Sequence, residues 1–301
     1  MKIVALFVAL ILERLFTQLF RWRELRWLDP LFDMGLKYSK RTSALSPYLW
    51  VVVVLLVSIA PVVFARVALS EALLGLPYFA LSVVVLFLSL GPQDIGEDVD
   101  QWCVAMRSGD EETERVYSKA LLEREFDSSA ETRQLVPCAV FVQANNRMFA
   151  VIFWFIVLGP VGAWLFRVAD LVRRRALFQA QRSDPHATVA TDCEQRADDV
   201  HAWLAFVPAR LSALGFVLAG NYDAGINAWR RDDDAVGSLS QRNDQLLRRV
   251  GDAAMQLHRD DGEDDISWHS RAAKAAKNLT LRTLMFWLVG VAVLTLVGGA
   301  I

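Results

Sequence analysis

The sequence predicts an all-α fold, a polytopic integral membrane helical bundle, and three observations carry that prediction. Hydrophobic residues make up 54% of the chain and are gathered in blocks instead of being spread periodically. Several blocks run to about 17 residues or more, long enough to enter a bilayer as a helix. The polar remainder is rich in Arg, Asp and Glu, yet the formal net charge is only −2, which leaves no electrostatic footprint for nucleic acid. We expect one integral membrane domain over residues 1–301. It has four clear transmembrane helices at about 2–20, 49–65, 73–90 and 283–301 and two kinked or re-entrant membrane segments at 149–166 and 204–219. Cytoplasmic helical parts fill 93–148, 167–203 and 220–282.

Met1 to Phe20 opens with one lysine and an apolar run. Glu13-Arg14-Leu15-Phe16 is unlike a cleavage site, so the segment reads as an uncleaved first helix. Glu13 falls late in it: at membrane depth its carboxylate needs a partner, and at the headgroup level it needs none. Arg21 to Tyr48 mixes cations with Trp22 and Trp27, as a cytoplasmic membrane-surface segment does. Leu49–Ala65 and Leu73–Leu90 are joined too tightly to be separated by a bilayer and form a hairpin. Val51 to Val54 alone would suit a strand, but the full apolar length favours a helix.

Gly91-Pro92 ends the third span. Asp94, Glu97, Asp98 and Asp100, then Asp110, Glu111, Glu112 and Glu114, recur at helical spacing in the net acidic stretch that follows. They match no EF-hand loop or H-E-x-x-H pattern, so they read as solvated faces and no metal site is expected. Further on, Asn145-Asn146-Arg147 offers donors suited to a neutral or anionic group. The plainer reading is a helix start with asparagine caps before Phe149–Phe166 enters the membrane. Gly159-Pro160 and Gly162 interrupt that block, as a kinked span or a re-entrant pair would require, and Arg173-Arg174-Arg175 follows.

The most informative run is Trp203 to Gly215, continuing to Gly220-Asn221-Tyr222-Asp223. A cation near the membrane centre costs at least about 2.5 kcal/mol and normally faces protein or a water-filled cavity. Pro208 takes the helical donor away from a carbonyl one turn earlier. Either the segment packs inside a bundle with Arg210 aimed at a partner or anion, or Arg210 snorkels from an ordinary amphipathic helix. Beyond it, Asp232-Asp233-Asp234 reads more simply as a solvated loop than as a cation site. Gln241 to His258 is amphipathic, and Arg271, Lys274, Lys277 and Arg282 precede the last span. Cys103, Cys138 and Cys193 are far apart and suggest no disulfide framework or zinc site. The four histidines are scattered and read as exposed or interfacial.

Val207-Pro208-Ala209-Arg210-Leu211 followed by Leu218-Ala219-Gly220 is similar to the W-[IV]-P-A-R-L…L-A-G run of the CobD/CbiB proteins, membrane enzymes of cobalamin assembly. Leu12-Glu13-Arg14-Leu15-Phe16 and the segment from Asn145-Asn146-Arg147 to Phe153-Trp154 resemble the related AmpE family more. Those are inner-membrane proteins linked to the amidase AmpD and to control of the β-lactamase AmpC. Aligned through Phe153-Trp154, the E-N-T-S-D segment of CobD/CbiB falls on Val142 to Arg147, with Val142 and Asn146 where that family has acids. An amide is no general base and a poor Mg²⁺ ligand. The D-A…P-N-A-G segment of CobD/CbiB suggests Asp223 and Asn227 as further carry-overs, although the proline is absent here.

The resemblance implies a ligand site of Glu13, Asn145, Asn146, Arg147, Arg210, Asp223 and Asn227, with Pro208, Gly159 and Pro160 structural, no catalytic residue and no cofactor. The excess of cations in Arg21–Tyr48 and Arg271–Arg282 puts both in the cytoplasm. With 149–166 and 204–219 re-entrant, all long polar segments are cytoplasmic in a multi-pass protein of the bacterial inner membrane. The implied function is a non-catalytic sensor or signalling protein linked to cell-wall recycling and β-lactamase regulation. The competing readings are a CobD/CbiB-like synthase forming an amide or ester bond with nucleotide and Mg²⁺, and, last, a transporter. No Walker-type G-x-x-x-x-G-K-[ST] loop is present for the synthase. Candidate partners are the lipid bilayer, an AmpD-pathway or other membrane protein, and a second copy of the chain.

Overall fold

The structure is a computed structural model that describes residues 2–15, 29–30, 32–34, 47–69, 76–90, 94–124, 128–182, 188–231 and 237–298. Among them every regular element is helical, the all-α class expected. Gly91-Pro92, Asp184-Pro185, Asp232 to Asp234 and most of Arg21–Tyr48 lie outside the described residues, as does the side chain of Glu13. The chain divides into two compact units, one of residues 1–92 with 150–205 and one of residues 93–149 with 206–301.

The first unit contains helices α1 (Lys2–Leu15), α2 (Pro47–Leu69) and α3 (Leu76–Ser89). Its core joins Trp50, Val51, Val54 and Leu55 to Val85, Trp164, Val168 and Val172. On α2, Val52, Val53, Leu56, Val57, Phe64 and Val67 stay exposed. Only 28% of its most apolar window is covered by protein, which is the pattern of a helix whose other partner is lipid. α3 has 14 residues, about 21 Å of helix, less than the hydrocarbon thickness.

The second unit contains α4 (Ile95–Ser108), α5 (Glu111–Leu122), α6 (Ser129–Ala144), a π-helical turn at Asn145–Phe149, and later α10 (Tyr222–Arg230), α11 (Leu239–Met255) and α12 (Asp265–Gly298). Side chains fix the starts of the polar helices: Asp94 Oδ1 accepts from the Gly96 N–H at 2.8 Å, Asp110 accepts from Thr113, and Ser238 forms a reciprocal capping box with Gln241. Trp102, Met106, Phe141, Phe149, Phe216 and Leu247 fill its core.

The chain changes unit three times, once after Pro92 and twice within helical stretches. The first of these stretches runs through α6 and the π turn into α7 (Ala150–Leu158), after which α8 covers Pro160–Arg182; the second is α9 (Thr188–Ala219). Three stretches are long and apolar enough to cross a membrane among the described residues: Tyr48–Leu69, Ser129–Leu158 and Asp192–Ala219. The apolar helix expected to begin at Phe149 therefore starts some twenty residues earlier. Of its most apolar window 72% is buried inside the protein, so much of that apolarity is core. Asn145 has right-handed helical angles, so the asparagines do not cap a new helix.

Gly159 ends α7 with a φ of +72°, a conformation that favours glycine. Pro160, which has no N–H to lose, opens α8. Hence the interrupted block is two helices, and its break is encoded by two adjacent residues. Pro208, by contrast, sits inside α9, which stays helical through it.

Candidate functional site

Pro208 cannot donate to the carbonyl of Leu204. The indole Nε1–H of Trp154 donates to that oxygen instead, at 3.0 Å, which answers the demand that an apolar environment places on any freed carbonyl. Two residues after Pro208, Arg210 folds back along its own helix. Its Nη1 donates to the Phe206 carbonyl at 2.7 Å and to Asn243 Oδ1 of α11 at 3.0 Å, and its guanidinium carbon lies 3.4 Å from the Phe206 ring centroid. Asn243 is buried. Among the described residues no carboxylate lies within ion-pairing distance of Arg210.

The Asn145–Arg147 segment occupies the π turn, with all three residues buried. A π turn carries one residue more than an α turn and often marks a functional position; here it packs three polar side chains close together. Asn145 Nδ2 donates to Asn146 Oδ1 at 3.2 Å, and Ser212 Oγ donates to Asn145 Oδ1 at 3.1 Å. Arg147 is fully engaged. It donates to Asp98 Oδ2 at 2.8 Å, to Gln143 Oε1 at 2.9 Å and to the Ala120 carbonyl at 2.6 Å. Gln143 in turn donates to Glu123 at 2.9 Å. Burial pushes the Asp98 carboxyl above its ordinary value, while the adjacent Arg147 pulls it back.

Asp98 therefore does not belong to the solvated face that its acidic neighbours suggested. It is 1% exposed. The signal was available: Asp98 keeps the same helical register as buried Trp102, Ala105 and Met106. Nothing in the sequence pointed to Asn243, Ser212 or Gln143. His201, expected at an exposed or interfacial position, is buried against Phe166 and lies 3.8 Å from Asp170. Fully buried Asp170 also takes Arg167, Arg173 and Arg174 at 3.1, 2.9 and 2.9 Å. Burial alone would raise its pKa, but these surrounding cations drive it well below the usual carboxylate range.

The candidate residues thus fall into separate groups. Asn145 meets Asn146 and Ser212, Arg147 meets Asp98, and Arg210 meets Asn243. Asp223 and Asn227 stand exposed on α10, where the Asn227 carbonyl accepts from the Arg231 N–H, and among the described residues neither bonds to another candidate. Glu13 belongs to α1.

No solved structure matches the chain. It is similar to the cobalamin biosynthesis protein CobD of Chromobacterium violaceum, 29% identical over 175 residues covering 57% of this chain and 53% of that protein. The CobD of Stutzerimonas stutzeri is 27% identical over 165 residues, covering 54% and 52%. The chain spans about half the length of these curated relatives. The family model described as regulatory signalling modulator protein AmpE matches residues 1–301. Because that model matches its whole length, this helical membrane protein belongs to the AmpE family.

Proposed function

We propose that the protein is a non-catalytic signalling component of the bacterial inner membrane, acting in cell-wall recycling and β-lactamase regulation. It binds a ligand or protein partner, without turnover, through a cytoplasm-facing polar site around Arg210 and Asn243. The observation that carries this reading is the charge of Arg210. The guanidinium is half-buried, held in place by a carbonyl and an amide, and balanced by no carboxylate among the described residues. Arg242 adds like charge nearby. A pre-positioned, uncompensated guanidinium suits a carboxylate or phosphate brought by something else. Against catalysis, Val142 and Asn146 stand where the CobD/CbiB acids would be, and Arg147, the nearby cation, already serves Asp98.

The test is Arg210→Ala in the native host, read as membrane accumulation and as β-lactamase induction by a cell-wall-active inducer. The expected result is normal accumulation with lost or blunted induction, partly restored by Arg210→Lys. Normal induction in Arg210→Ala removes the site from the proposal. The similarity to CobD proteins favours one second reading, a membrane synthase. Product formation dependent on added nucleotide and Mg²⁺ by the purified protein would establish it in place of the first.

A further inference from the structure

Away from Arg210, α4 and α12 enclose an open groove of about 470 Å³ lined by Arg107, Glu263, Ser267, Arg271, Lys274, Ala275 and Asn278. The spacing of Ser267, Arg271, Lys274 and Asn278 puts all four on one face of α12, and Arg107 faces them from α4. The cations divide into two classes. Arg271 is balanced: it pairs with Glu263 at 2.5 and 3.0 Å and with Asp260 at 3.4 Å. Arg107 donates to Ser270 Oγ at 2.8 Å. Neither Arg107 nor Lys274 has a carboxylate within ion-pairing distance among the described residues. The neighbouring Lys277 is taken by Asp100 at 2.6 Å.

We infer that this groove is a binding site for a phosphate group, with Arg107 and Lys274 supplying charge and Ser267 and Asn278 supplying neutral donors. Two unbalanced cations beside a hydroxyl and an amide form a donor set that fits a phosphate better than a lone carboxylate. The volume suits a small ligand or a headgroup. The location on α12 bears on the source. Lys274 precedes the exposed apolar side chains Leu281, Met285, Phe286 and Val289 of the same helix by two to four turns. Basic sites immediately outside an apolar helix are where acidic lipid headgroups are held. Phosphate chemistry is common to an acidic phospholipid and to a soluble phosphate compound, and the experiment separates the two.

The full-length protein is reconstituted into nanodiscs of phosphatidylcholine alone or with phosphatidylglycerol, and retained lipid is counted by native mass spectrometry. In parallel, inorganic phosphate is titrated into the phosphatidylcholine sample. Retention of phosphatidylglycerol identifies a lipid site, and saturable binding of inorganic phosphate identifies a soluble one. In either case Lys274→Gln is expected to weaken binding about fivefold with an unchanged melting temperature, because Lys274 makes no hydrogen bond within the protein among the described residues. The pair Arg107→Gln with Lys274→Gln is expected to abolish binding. Absence of binding by both probes, or binding by the double variant as tight as the wild type's, overturns the inference.

Discussion

The indole of Trp154 and the carbonyl of Leu204 are joined by a hydrogen bond of 3.0 Å at the position where Pro208 removes the helical donor. Trp154→Phe keeps an aromatic ring but removes the N–H together with part of the indole. Leaving a shielded carbonyl unpaired costs about 1–3 kcal/mol. We expect a lower thermal midpoint in detergent, and Pro208→Ala in the same background should recover most of it by restoring an intrahelical donor.

Asp98 and Arg147 form a buried ion pair at 2.8 Å. Removing one partner strands the other charge, at a cost of about 3–5 kcal/mol, whereas removing both is often far less damaging. Asp98→Asn and Arg147→Met should each destabilise the protein strongly. The double variant should lie well above the sum of the two, measured by a thermal or denaturant double-mutant cycle.

Asp33 accepts two hydrogen bonds from Arg175, at 2.8 and 2.6 Å, and these hold its carboxyl below the ordinary value of 3.8. A carboxyl whose pKa is depressed on folding contributes stability above its unfolded value and loses it as the pH falls through the folded one. The stability gap between wild type and Asp33→Asn should therefore be constant near neutrality and close in acid below about pH 4. The carboxylate is partly exposed, so added salt should shrink the gap as well. Melting curves against pH and salt check both.

Gly215 brings α9 against α12. A Cβ there would stand 2.6 Å from Thr283 Cγ2 and 3.1 Å from Trp287 Nε1. Gly215→Leu should overpack this contact and cost about 1–3 kcal/mol or more, while Gly290→Ala, which lies inside α12 and meets nothing within 4 Å, should stabilise the helix by about 0.5–1 kcal/mol. Parallel thermal melts give the comparison.

The all-helical class was legible because apolar blocks of bilayer length leave the backbone few other ways to satisfy itself. The roles of Gly159-Pro160 and Pro208 were legible because both follow from local backbone chemistry. The partners were not. Arg147 and Asp98 are 49 positions apart, and Arg210 and Asn243 are 33 apart. Periodicity assigns a residue to a face of its own helix but does not name the helix opposite. For that reason Asn145 to Arg147 could be read as donors for a ligand, although Arg147 is bonded to Asp98, Gln143 and the Ala120 carbonyl inside the fold.

The glycine-proline junction at 159–160 also decides how so basic a segment as α8 is accommodated. Had α7 continued as a straight rod, Arg167, Arg173, Arg174 and Arg175 would have ridden on the axis of the apolar run Ala150–Leu158 and been carried onward in its heading. Two residues that permit a fresh start uncouple the direction of the arginine helix from that of its greasy predecessor, so each can follow the medium it suits.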